Sequence, residues 1–199
     1  FFFFSGHTRG NRLGVFAKRA APVQVTWLGY PNTTGIAGMD YRITDAIADP
    51  PGESDAIHTE TLIRLHDSFL CYAPLETPPE IGALPAIENG HVTFASFNNW
   101  SKVTAETIRV WSQLLHAVPT ARLYLKARAL ADTDVCRRCL EAFAAHDVAA
   151  ERLDIAGWHA DPAEHLSDYR QCDIALDTWP YNGATTSCEA LWMGVPVVT

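Results

Sequence analysis

The sequence has no glycine-rich phosphate loop. Neither Gly-x-Gly-x-x-Gly nor the Walker pattern occurs in its 199 residues, which argues against a dinucleotide-dependent dehydrogenase and a P-loop ATPase. Positive charge is also scarce: 15 Lys and Arg stand against 23 Asp and Glu, for a net charge of −8, so no nucleic-acid partner is expected. No apolar run approaches the roughly 20 residues that a membrane-spanning helix needs, and no membrane partner is expected. The opening "FFFFSGHTRG" has neither a basic leader nor an Ala-x-Ala cleavage pattern. The five cysteines are odd in number, which speaks against a disulfide framework and for a reducing, cytoplasmic setting. Cys136 and Cys139 have C-x-x-C spacing, but no second pair or histidine couple accompanies them, so they read as part of an amphipathic helix.

What is present is an alternation of strands and helices. From Phe1 to about residue 73 come a short apolar strand, a helix-like "NRLGVFAKRA", a strand "VQVTWLGY", and "AIHTETLIRL", which reads as a helix. The proline-rich segment "APLETPPEIGALPAIENG" reads as a linker between domains, placed at residues 74–91. From 92 to 199 the rhythm is regular. Strands "VTFASFNN", "ARLYLKA", "RLDIAGW", "DIALDTW" and "VPVVT" alternate with helical patterns, as in "TAETIRVWSQLLHAV", where Ile108, Trp111, Leu114 and Leu115 share a face behind the N-cap candidate Thr104. This pattern predicts an α/β fold with parallel sheets, whose ligands bind at the carboxyl ends of the strands.

Three loops fall on that edge. "FNNWSK" brings Asn98, Asn99 and Lys102; "GWHADPAEH" brings His159, Asp161 and His165; "YNGATTSCEALW" brings Thr185, Thr186 and, one turn into a helix, Glu189. A helix start offers unpaired N–H groups and the positive end of a dipole, an anion site to which threonine hydroxyls add donors. Lys102 adds a full charge, and Glu189 is an acceptor suited to ribose hydroxyls. Together they suit a diphosphate joined to a nucleoside. Plainer roles fit the same residues: Asn98 and Asn99 as caps, Lys102 as a solvated charge, Thr185 and Thr186 as N-caps, His165 as a packed helix residue. Asp132-Thr-Asp134 has the D-x-D form of a metal site, but it stands at a helix start, where capping explains it.

The blocks "GHTRGNR", "APVQVTWLGYPNTTG", "MDYRITD", "FNNWSK" and "LDTWPYNGATTSCEALWMGVPVVT" closely resemble, in order, the catalytic region of glycosyltransferase family 41, the O-linked N-acetylglucosamine transferases and their SPINDLY-like relatives. The resemblance implies a GT-B architecture of two Rossmann-like domains, both incomplete here: the latter part of an acceptor-side domain and the first part of a nucleotide-sugar-binding domain. It implies inverting transfer of a sugar, foremost N-acetylglucosamine from UDP-GlcNAc, to Ser or Thr of proteins, with no metal and no cofactor. Carried over by position, Asn99 and Lys102 contact the diphosphate, and Lys102 stabilises the leaving group. Ala160, Asp161, Pro162 and His165 form the nucleoside loop, His165 beside the base. Thr185 and Thr186 bind phosphate, and Glu189 holds the ribose. Arg12, Leu28, Gly29 and Pro31 line the sugar side of the cleft.

The departures concern the donor. Ala184 stands where the animal enzymes have His, Pro162 where they have Lys, and Asp168 where they have Arg, so the alternatives are GDP-fucose, the donor of the SPINDLY branch, or a fragment that binds a nucleotide and transfers nothing. His7, His58 and His66 do not match the family's upstream histidines. The general base and the tetratricopeptide repeats that engage protein acceptors are therefore expected in a longer protein, and this stretch alone is expected to be inactive.

Overall fold

Short aromatic and β-branched runs become parallel strands in the computed structural model, which describes residues 1–199. The chain divides into two units, Phe1–Cys71 and Tyr72–Thr199. The first holds a four-stranded sheet in chain order: β1 (Phe2–Phe3), β2 (Val25–Thr26), β3 (Tyr41–Asp45) and β4 (Thr61–Leu65). Helix α1 (Leu13–Ala17) lays Phe16 against Phe3, ring centroids 4.5 Å apart, and Met39 closes this small core.

One element differs from its sequence reading. The run Ala56 to Leu65, expected as a helix, ends a 3₁₀ turn, Ser54–Ile57, and then forms β4. All five β4 residues pair with β3, and Leu62 turns inward while Thr61, Ile63 and Leu65 turn out. Period-two burial and long-range pairing override the apparent helical spacing.

The second unit begins at Tyr72, just ahead of the proline-rich stretch. Residues 74–91, read as an interdomain linker, carry a short helix, α2 (Pro85–Asn89), and are tied to this unit. Arg170 Nε donates to the Glu80 carbonyl oxygen at 2.8 Å, and the Ala86 amide donates to Asp173 Oδ1 at 2.9 Å. Prolines exclude a long helix here, but they do not stop fixed chain from packing through its remaining amides and carbonyls.

The remaining elements are β5 (Thr93–Ser96), α3 (Ala105–Ala117), β6 (Arg122–Lys126), α4 (Thr133–Ala144), β7 (Leu153–Ala156), α5 (Pro162–Ser167), β8 (Ile174–Leu176), α6 (Thr185–Trp192) and β9 (Val197–Val198). The parallel sheet runs β7-β6-β5-β8-β9. The first strand of this unit lies centrally and the fourth lies beside it, so the winding reverses between β5 and β8. That reversal opens a crevice at the strands' carboxyl ends. One core layer buries Ile108, Trp111 and Leu115 of α3 with Phe143 of α4 against Leu123 and Leu125. Phe143 is wholly buried, and truncating such a side chain costs about 3–5 kcal/mol. Thr104 caps α3 by accepting from the Thr107 amide, and Asp132 caps α4 by accepting from Asp134 and Val135, so the D-x-D sequence is a helix cap. Cys136 and Cys139 both lie on α4. Burial, then the neighbouring Cys136, pushes the Cys139 thiol up to about 12, the state of an inert packed side chain.

Candidate functional site

The residues that follow β5 and β8 meet at the reversal point. Asn98 is buried and donates through Nδ2 to Asp177 Oδ1 at 3.1 Å. The same carboxylate oxygen accepts the amides of Thr178 at 2.8 Å and Gly183 at 2.6 Å, which curls the loop between β8 and α6 around it. Gly183 leaves room for the hydroxyls that crowd it. A Cβ there would stand 2.6 Å from Thr186 Oγ1 and 2.8 Å from Ser187 Oγ.

That curl delivers the start of α6 to a cleft of about 300 Å³. Asn98, Asn99, His165, Thr185, Thr186 and Glu189 all line it. The N-cap position of α6 is Ala184, and no side chain caps the helix. The first-turn amides thus have no side-chain acceptor, the condition in which a helix start attracts an anion. Thr186 does not act as the cap either: its hydroxyl donates to Asn98 Oδ1 at 3.2 Å.

The opposite wall is a polar chain. Lys126, at the end of β6, is almost fully buried; its ammonium lies 2.6 Å from Asp168 Oδ2, 3.0 Å from His165 Nδ1 and 5.2 Å from the Phe97 ring centre. His165 Nε2 lies 3.1 Å from Glu189 Oε2, and His159 Nε2 lies 2.9 Å from Asp168. Beneath them, burial and then the Glu189 carboxylate push the Tyr169 phenol up, so it stays protonated and donates to the Thr186 carbonyl oxygen at 3.1 Å. At the rim the Arg128 guanidinium stands 5.6 Å from the centre of the exposed Trp158 ring.

The other residues singled out from sequence fall in different places. Asn99 also organises its own loop, its Oδ1 accepting from the Ser101 amide and hydroxyl. Lys102 ends the 3₁₀ turn Trp100–Lys102, and its ammonium donates to the Asn182 carbonyl oxygen at 2.7 Å, over the Tyr181 ring at 4.4 Å. Burial pushes the Lys102 pKa down, and the nearby Asp177 carboxylate opposes that shift. Asp161 caps α5 by accepting from the Ala163 amide, behind Pro162 at the first helical position; both are exposed, as is Ala160. Arg12, Leu28, Gly29 and Pro31 belong to the first unit. Arg12 donates to the Gly10 and Asn11 carbonyls, and Leu28 holds a left-handed backbone at φ +67°. Gly29 is obligatory, since a Cβ would meet the Phe4 carbonyl oxygen at 1.7 Å.

Sequence reasoning passed over Lys126, Arg128, Trp158 and Asp177. All stand at or just beyond the carboxyl end of a strand in the second unit, so the rule that selected "FNNWSK" would have selected them too.

Comparison with known proteins adds a family. The model of glycosyl transferase family 41 matches residues 2–73 and 83–199. A Petunia hybrida protein named probable UDP-N-acetylglucosamine–peptide N-acetylglucosaminyltransferase SPINDLY is 47% identical over 195 residues, covering 98% of this chain and 21% of that protein. Its namesake in Arabidopsis thaliana is 46% identical over the same shares. A mutant of the Thermobaculum terrenum O-GlcNAc transferase superposes with a TM-score of 0.89 at 43% identity, over all of this chain and 37% of the other. The chain spans about a fifth of the length of the curated relatives it matches. Its α/β fold with parallel sheets is of the GT-B type.

Proposed function

The chain belongs to glycosyltransferase family 41, and from that membership we propose that it forms part of the catalytic region of an enzyme moving a sugar from a nucleotide donor to Ser or Thr hydroxyls of proteins. UDP-GlcNAc is the donor we favour, in keeping with the names of the plant relatives. The observation that carries the reading is the α6 start, uncapped by any side chain and opening into the same cleft as Glu189. One end of that cleft suits a diphosphate and the other a ribose.

In this reading a Ser or Thr hydroxyl oxygen attacks the anomeric carbon from the face opposite the leaving group and gives its proton to a general base outside this chain, so configuration inverts. The bond to the diphosphate breaks, and negative charge grows on its oxygens. The α6 amides meet that charge with positive ends fixed beforehand, the arrangement that lowers such barriers most, and the Thr185 hydroxyl, the Thr186 hydroxyl on leaving Asn98 Oδ1, and the Lys102 ammonium add donors to it. Lys102 would exchange the Asn182 carbonyl for a phosphate oxygen. These groups supply the positive charge that a divalent cation would otherwise bring, so transfer is proposed to need no metal. Protein acceptors would be engaged by parts of the protein outside this chain, including the expected tetratricopeptide repeats.

Calorimetric titration of the chain with UDP, UDP-GlcNAc and GDP-fucose tests the donor. Tight binding of the uridine compounds is expected. Preference for GDP-fucose would move the enzyme to fucose transfer, and binding of none would overturn the reading. Activity of the whole enzyme should survive excess EDTA; loss that Mn²⁺ restores would overturn metal independence.

A further inference from the structure

Lys126 is the buried cation of the cleft wall, and its geometry dictates the state of its neighbours. An ammonium has only donors, so His165 Nδ1, 3.0 Å away, must accept. The ring then carries its proton on Nε2 and gives it to Glu189 Oε2 at 3.1 Å. Asp168 Oδ2, 2.6 Å from the same ammonium, balances the charge, and the same oxygen lies 2.9 Å from His159 Nε2. Side-chain exposure is 2% for Lys126, 14% for Asp168, 19% for His165 and 17% for Glu189, so water competes little for these bonds. With the opposite tautomer, Nδ1–H would point at the ammonium and Nε2 would turn a lone pair toward a carboxylate. Both contacts would repel.

We propose that Lys126 is a positioning residue for ribose recognition. It fixes the His165 tautomer, which anchors one oxygen of Glu189 and aims the carboxylate at the ribose hydroxyls of a nucleoside diphosphate. This rests on the reading of Glu189 as the ribose acceptor, and it adds what makes that acceptor selective. Without the lysine, His165 is free to flip or to change tautomer. Glu189 then loses its anchor, and its preference for an intact ribose goes with it.

The test uses Lys126→Met together with Asp168→Asn, so that no unpaired buried charge is left and the wall keeps its shape. ¹⁵N resonances of histidine report the tautomer directly. His165 should show the Nε2–H pattern in the parent and a mixed pattern in the double variant. In calorimetry the parent should bind UDP about tenfold or more tighter than 2′-deoxy-UDP, with GDP and 2′-deoxy-GDP as the purine arm. In the variant that ratio should fall toward one. A folded variant with an unchanged His165 tautomer overturns the proposal, as does a tautomer shift that leaves the ribose ratio intact. A parent that binds none of these nucleotides overturns the underlying ribose reading instead, and the proposal falls with it.

Discussion

Asn98 and Asp177, 79 positions apart, lock together across 3.1 Å at the point where the sheet reverses direction. The bond joins the ends of β5 and β8, and the two residues also hold the α6 start, Asn98 through Thr186 and Asp177 through Gly183. Asn98→Asp should therefore be costly in a pH-dependent way. Two carboxylates at that separation cannot both ionise, so one is held protonated and its folded pKa rises above the unfolded value. A raised folded pKa gives stability that is present below the unfolded value, about 3.9, and lost as pH rises through the folded one. Melting of the variant should nearly match the parent near about pH 4 and fall behind it toward about pH 7. An equal deficit at every pH would mean that the two side chains do not share a proton.

Replacing both Thr185 and Thr186 with Val removes two hydroxyl donors from the α6 start. Each hydrogen bond to a charged group is worth roughly 1.5–3 kcal/mol, so UDP affinity should drop by about a hundredfold or more. Stability should change far less, because the helix cap lies at Ala184 and only the Thr186–Asn98 bond is lost, at about 1 kcal/mol. Calorimetry beside thermal melting separates the two effects. Unaltered UDP binding by the variant would reduce both threonines to local structure.

The second unit was legible because its apolar residues keep a clean period: every strand and helix expected between 92 and 199 occurs. In the first unit β4 was not, since the apolar residues Ala56, Ile57, Leu62, Ile63 and Leu65 do not alternate cleanly with polar ones, and only the pairing with β3 decides. The Thr185, Thr186, Glu189, His165 and Asn99 grouping was legible from loop position and the family motif. Lys126 was not: in sequence it is one more charge at a strand end. Its burial depends on Asp168 and His165, about 40 residues onward and on another element. Single-chain spacing cannot reveal that kind of partnership.

Acid should loosen the first unit through Glu60. Burial pushes this carboxyl up, but the hydroxyl and amide of Thr34 and the hydroxyl of Thr33 bind the ionised form, and the net shift is below its ordinary 4.5. A depressed folded pKa contributes stability that is full above the ordinary value and lost as pH falls through the folded one. Amide exchange in β3 and β4 should therefore accelerate below about pH 4.5, and Glu60→Gln should flatten that dependence. An acid response identical in the variant would assign the effect to other carboxylates.

Lys102→Met keeps the length of the side chain and removes its charge. In the resting structure the ammonium is spent on the Asn182 carbonyl and the Tyr181 ring, so its removal costs the fold little more than one hydrogen bond, about 1 kcal/mol. The charge matters most when the diphosphate leaves, because the field of a preset cation is then met by a new negative charge in a partly dry site. Turnover of the whole enzyme should fall by at least about 10²-fold, the scale for deleting one such stabilising group. Affinity for UDP should fall less than turnover, since the α6 amides and both threonines still hold the diphosphate. Sugar transfer to a protein acceptor, measured beside UDP binding, gives the two numbers. A variant that turns over within about threefold of the parent, a barrier change under 1 kcal/mol, would remove Lys102 from leaving-group stabilisation and leave it as the latch on Asn182.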